Sequence, residues 1–67
     1  MKRRDVVAHL IAHGCTLLRE GGRHSIWVNR AGTRIGAVPR HREIDDNLVR
    51  KICIDLRINT PWQKHTT

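Results

Sequence analysis

Three interruptions in the middle of the chain constrain its fold more than any other feature: Gly21-Gly22, the run Asn29-Arg30-Ala31-Gly32-Thr33, and Pro39. Glycine frees the backbone for tight turns, and proline cannot donate to a sheet ladder. The runs between them are too short for a helix and suit strands. Cys15-Thr16-Leu17-Leu18-Arg19 reads as a first strand, residues 24–29 as a second and residues 34–38 as a third. Breaks this short favour hairpins, which make neighbouring strands antiparallel. In the second strand the two-residue period sets His24, Ile26 and Val28 on one face, with Ser25, Trp27 and Asn29 on the other. Trp27 is expected to cover the sheet or to serve a protein interface rather than to stack on a base.

Helical patterns flank this centre. Val6, Val7, Leu10 and Ile11 form an amphipathic stripe over residues 4–13, and Gly14 supplies the stop. Asp5 fits as the N-cap or as an acid in the first turn. Downstream, Asp45 can cap a second helix in which Leu48, Ile52 and Leu56 recur at spacing four, joined by Val49 and Cys53. Ile44 before the cap could pack on Val49 as a hydrophobic staple. The expected architecture is α+β, in the order α-β-β-β-α, with both helices on one face of a three-stranded antiparallel sheet, similar to a double-stranded-RNA-binding domain. Residues 1–58 are expected to form the domain and residues 59–67, with Pro61 and Trp62, a loose tail.

With 67 residues the chain can build one small core, which excludes two domains. No apolar run approaches the ~20 residues of a membrane helix, and the basic start is not followed by a signal-peptide stretch, so a cytoplasmic protein is expected. Cys15 and Cys53 are expected as buried thiols. His9 and His13 stand four apart, yet the segment between them lacks the glutamate of a zinc-protease helix. They read as solvated helix residues, and neither a metal site nor a cofactor is expected.

The net charge is +7, and ten of the thirteen basic residues are arginine, whose planar fork suits phosphate better than lysine's point charge. Residues 19–42 carry six arginines against the single acid Glu20, so most of the charge lies in the strand-rich centre. That concentration is the footprint of a nucleic-acid binder. Any one of these arginines, Arg30 or Arg34 for example, could equally be a solvated hairpin residue.

Two segments carry candidate chemistry: Gly21-Gly22-Arg23-His24-Ser25-Ile26-Trp27 and Val38-Pro39-Arg40-His41-Arg42-Glu43-Ile44. Histidine moves a proton near neutral pH, arginine stabilises developing phosphate charge, and a Gly-Gly turn lets a backbone approach closely. RNA supplies its own nucleophile, the 2′-hydroxyl, so such a site needs no metal. Asp45 and Asp46 read as acids at a helix N-terminus rather than as a two-metal pair. By position alone, His24 could be an ordinary histidine at the rim of the sheet.

In element order and in these two segments, the chain resembles the HicA family of toxin mRNA interferases from about residue 2 to residue 58. Family members carry a glycine-led motif such as Gly-Ser-His-His at the second strand and a Pro-centred, His-bearing segment after the third. Setting Gly21 on the family glycine places His24 at the catalytic histidine and Val38-Pro39-Arg40-His41 on the second segment. Where many members have Gly-Ser-His-His, this chain has Gly22 and Arg23 before a single histidine.

The resemblance implies an RNA-cleaving toxin that a HicB antitoxin holds inactive. Within it, His24 would be catalytic, and Gly22, Arg23, Arg40, His41 and Arg42 would contact mRNA. His41 could also be a second proton carrier or a solvated loop residue. The alternative reading is a non-catalytic RNA-binding module of the same fold, which would bind RNA with strong salt dependence and leave it intact. A helix-turn-helix DNA binder fits the strand-rich centre worst.

Overall fold

A computed structural model describes residues 1–62. The elements run α1 (Arg3–Ala12), β1 (Thr16–Glu20), β2 (His24–Val28), β3 (Ile35–Pro39) and α2 (Asp46–Leu56), which is the α-β-β-β-α order expected. The strands form one antiparallel sheet in the order β1-β2-β3. The last five residues of the expected tail, 63–67, lie outside the described part.

Local chemistry explains each boundary. α1 begins after Lys2, so Asp5 serves as an acid in the first turn and not as the cap. The helix ends at His13, and Gly14 follows with φ +81°. A Cβ at Gly14 would lie 2.9–3.1 Å from the aliphatic stem of Arg30, which crosses this corner. In the β2–β3 loop the Asn29 side chain accepts from the backbone N–H groups of Thr33 (2.9 Å) and Arg34 (3.2 Å), while Gly32 takes φ +73°. Pro39 closes β3. Asp45 caps α2 by accepting from the N–H of Asn47 at 3.0 Å. Ile44 and Val49 are both in the core, as a staple requires.

The core consists of Val6, Leu10, Cys15, Trp27, Val38, Ile44, Val49, Ile52, Cys53 and Leu56. It lies on the sheet face that carries Ser25 and Trp27. Trp27 is 6% exposed, so it covers the sheet from inside and is unavailable as an interface or base-stacking residue. Its indole N–H is buried without a hydrogen-bond partner among the described residues. Gly36, opposite Trp27, leaves room for α2: a Cβ there would sit 3.0 Å from Leu56.

Of the stripe expected on α1, Val6 and Leu10 are buried, Val7 is half-buried against the core, and Ile11 is 59% exposed. Cys15 precedes β1 and is buried, and all five residues of β1 are exposed. Both cysteines are free thiols, and burial raises the pKa of each. His13 is exposed, but His9 is half-buried, and its Nε2 lies 2.6 Å from the carbonyl of Asn59, so it tethers the chain after α2 instead of standing free in solvent. No helix among the described residues is long and apolar enough to cross a membrane.

Candidate functional site

The sheet face opposite the helices carries His24, Ile26 and Val28. His24 opens β2 directly after the Gly21–Arg23 turn and pairs with Pro39 at the end of β3. This pairing brings the two candidate segments together, although they are far apart in the chain. The imidazole of His24 is exposed and makes no hydrogen bond among the described residues.

Two hollows meet at His24. One, of about 470 Å³, is lined by Gly22, Arg23, His24, Pro39, Arg40 and His41. It collects every residue expected at the site except Arg42, whose side chain lies outside while its backbone carbonyl accepts from the N–H of Arg3 (2.8 Å). The other, of about 280 Å³, lies over the open sheet face and is lined by Arg19, Gly21, Gly22, Arg23, His24, Ile26 and Ala37. An exposed imidazole between arginine-lined hollows can hold an anion and move a proton beside it.

Arg19 was not among the expected site residues. A shift of register between Leu17 and Arg19 brings it onto the open face: Leu17 pairs with Trp27, but Arg19 pairs with Ile26 and Glu20 with Ser25. In an unbroken ladder Arg19 would face Ser25 on the helix-covered side, because slipping one residue exchanges the faces. The doubled leucine Leu17-Leu18 is the available sequence signal, since no two-residue period sets both on one face.

The same shift builds a hydrogen-bonded chain behind the site. Ser25, 1% exposed, donates through Oγ to Glu20 Oε1 (2.5 Å) and accepts from Arg3 Nη2 (2.9 Å). Arg3 Nε donates to the carbonyl of Pro39 (2.9 Å). Glu20 Oε1 also accepts from Arg40 Nη2 (2.8 Å), and Arg40 Nε donates to the carbonyl of Gly21 (3.2 Å). The turn before His24 is thereby tied to the end of β3. The Glu20–Arg40 pair is about half exposed and contributes little to stability, so its effect is orientation. Two of the five N–H donors of Arg40 are engaged in this way, whereas Arg23 and His41 have no side-chain partner among the described residues.

Gly21 and Gly22 differ. The N–H of Gly21 donates to the carbonyl of His24 at 2.7 Å, and a Cβ on Gly21 would fall 2.8 Å from that oxygen. A Cβ on Gly22 would meet nothing within 4 Å.

A family model described as the HicA toxin of bacterial toxin-antitoxin systems matches residues 3–58. The chain belongs to the HicA toxin family. No curated protein and no solved structure matches it. The HicA match ends two residues beyond α2 and takes in all five elements, both hollows and the chain from Arg3 to Arg40. As a HicA toxin of a toxin-antitoxin pair, the protein has a cognate antitoxin as its partner.

Proposed function

We propose that the chain is an endoribonuclease toxin that cleaves mRNA with His24 as its single catalytic histidine, without a metal cofactor. The observation that carries this reading is the position of His24, exposed on the open sheet face between two hollows lined by Arg19, Arg23 and Arg40. An RNA strand laid there brings its own nucleophile. His24 takes the proton from a 2′-hydroxyl, whose oxygen forms a bond to the adjacent phosphorus as the bond to the 5′-oxygen breaks. The departing oxygen takes a proton from solvent in the open hollow. The products are a 2′,3′-cyclic phosphate and a 5′-hydroxyl end.

Arg23 and Arg19 offset the charge that develops on the phosphorane, and Arg40, fixed by Glu20 and Gly21, fixes the angle of approach. Gly22 lets the RNA backbone come close. His41 and Arg42 extend the contact beyond the scissile phosphate. A HicB-like antitoxin neutralises this site by covering it with an acidic surface.

The test is purified protein on end-labelled RNA in the presence of a chelator, with analysis of the new ends. Cyclic phosphate and 5′-hydroxyl ends from the wild type, and intact RNA from a folded His24→Ala variant that still binds, are expected. RNA bound but left intact by the wild type would favour the non-catalytic RNA-binding module instead.

A further inference from the structure

At the far end of β3 from His24, a groove of about 580 Å³ is lined by Thr33, Arg34, Ile35, Ile54, Asp55 and Arg57. It plays no part in the cleavage proposed at His24. We infer that this groove is a second RNA-phosphate subsite, which holds the strand a few nucleotides from the bond cleaved at His24. This inference rests on the nuclease reading above.

Arg34 and Arg57 have exposed side chains with no acceptor among the described residues. The carboxylate in the lining, Asp55, is already met by Lys51 Nζ at 2.7 Å. Residues 43–58 carry a formal charge of −1, which conceals a separation in space. Glu43 and Asp46 lie 3.5 and 3.7 Å from the ammonium of Met1, at the opposite end of α2 from Arg57.

Arg57 is the C-cap of α2 with φ +59° and ψ +45°, the left-handed region that glycine fills most easily. It is the only non-glycine residue at positive φ among the described residues. A side chain kept where a glycine would relieve strain points to a use for that side chain.

Arg34 accepts from Asn29 across the hairpin through its carbonyl (3.0 Å), so by alternation the backbone groups of Ile35, Ala37 and Pro39 face away from β2. Pro39 has no N–H, and its carbonyl is taken by Arg3. The N–H groups of Ile35 and Ala37 remain as outward donors along an edge that runs from the groove to the His24 hollow. The run from Ile35 to Pro39 spans roughly 14 Å at the usual rise of a strand. Ile35 and Ile54, 57% and 65% exposed, form the apolar walls of the groove.

The experiment compares a trinucleotide, too short to reach the groove from His24, with a dodecanucleotide. Cleavage of the trinucleotide by the unaltered chain reports on the His24 site without the groove, so its failure would count against the nuclease reading and not against the subsite. Binding of the dodecanucleotide is then measured on a His24→Ala background as a function of salt. Arg57→Gly and Arg34→Gln are each expected to weaken it and to reduce the salt slope by about one.

Arg57→Gly is also expected to raise the melting temperature, because it relieves the left-handed residue. Weaker binding by a more stable protein is an outcome that a merely structural arginine cannot give. Unchanged dodecanucleotide affinity and slope in both variants would overturn the subsite. So would an effect of the two substitutions confined to the antitoxin complex, which would make the groove a protein-docking surface.

Discussion

Gly21 and Gly22 are adjacent and have different reasons to lack a side chain. Gly21→Ala forces a Cβ against the His24 carbonyl and is expected to destabilise the turn by about 1–3 kcal/mol, read as a drop in the melting temperature. Gly22→Ala meets open space and is expected to leave the melting temperature within the range of ordinary surface substitutions while slowing the proposed RNA cleavage, since the added methyl stands on the proposed path of the strand. Equal loss of stability in the two variants would refute this division. The thiols supply a second test at this scale. Burial raises the pKa of Cys15 and Cys53 from 9.0, so the folded state holds these protons more tightly than the unfolded state does. Their contribution to stability is therefore fully present below about pH 9 and declines as pH rises toward the folded-state values. Melting temperature against pH should fall less steeply above pH 9 in a Cys15→Ala, Cys53→Ala variant than in the wild type.

Among the elements, β1 is the decisive one. It buries none of its residues, yet its register shift sets Arg19 on the open face and Glu20 beside Ser25. The chain from Arg3 through Ser25 and Glu20 to Arg40 follows from that shift, and it links α1, all three strands and the loop after β3. Ser25→Ala is expected to lower kcat several-fold with KM nearly unchanged, because Glu20 loses its buried donor and releases the turn that positions His24. Glu20→Gln should behave similarly, and the double variant should lose less than the product of the two single effects, since both act through one network. A double variant whose loss is the full product would show two independent residues. α2 depends more simply on local chemistry: Asp45→Ala removes a helix cap and should cost about 1 kcal/mol in denaturant unfolding without altering the pH profile of cleavage.

Over the whole molecule, a +7 charge on 67 residues should make the proposed RNA binding weaken steeply with salt. The arginines should not contribute equally. Arg23 lines both hollows and Arg42 lines neither, so Arg23→Gln is expected to weaken RNA binding more than Arg42→Gln. The reverse ranking would displace the proposed path of the strand. Because the antitoxin is proposed to meet the same charge, complex formation should slow markedly as salt rises.

Much of this was legible along the chain because it depends on local physics. Gly21-Gly22, Asn29 to Thr33 and Pro39 specify turns and a strand end through backbone freedom and missing donors, whatever surrounds them. The spacing of Leu48, Ile52 and Leu56, joined by Val49 and Cys53, specifies the apolar stripe of α2, in which Leu48 is half-buried and the other four are buried, and Asp45 specifies its start. The likeness of the two His-bearing segments to the HicA family gave the candidate site its residues, and five of the six meet in one hollow. Tertiary structure alone decided which sheet face the helices cover, because alternation separates two faces without saying which is buried. It buried Trp27 and left His24 in solvent. It also turned Arg19 toward the site and Glu20 toward Ser25, since a bulge is a property of paired strands. The groove at Arg34 and Arg57 likewise exists only in three dimensions, because 22 intervening residues fold back to bring the end of α2 against the start of β3.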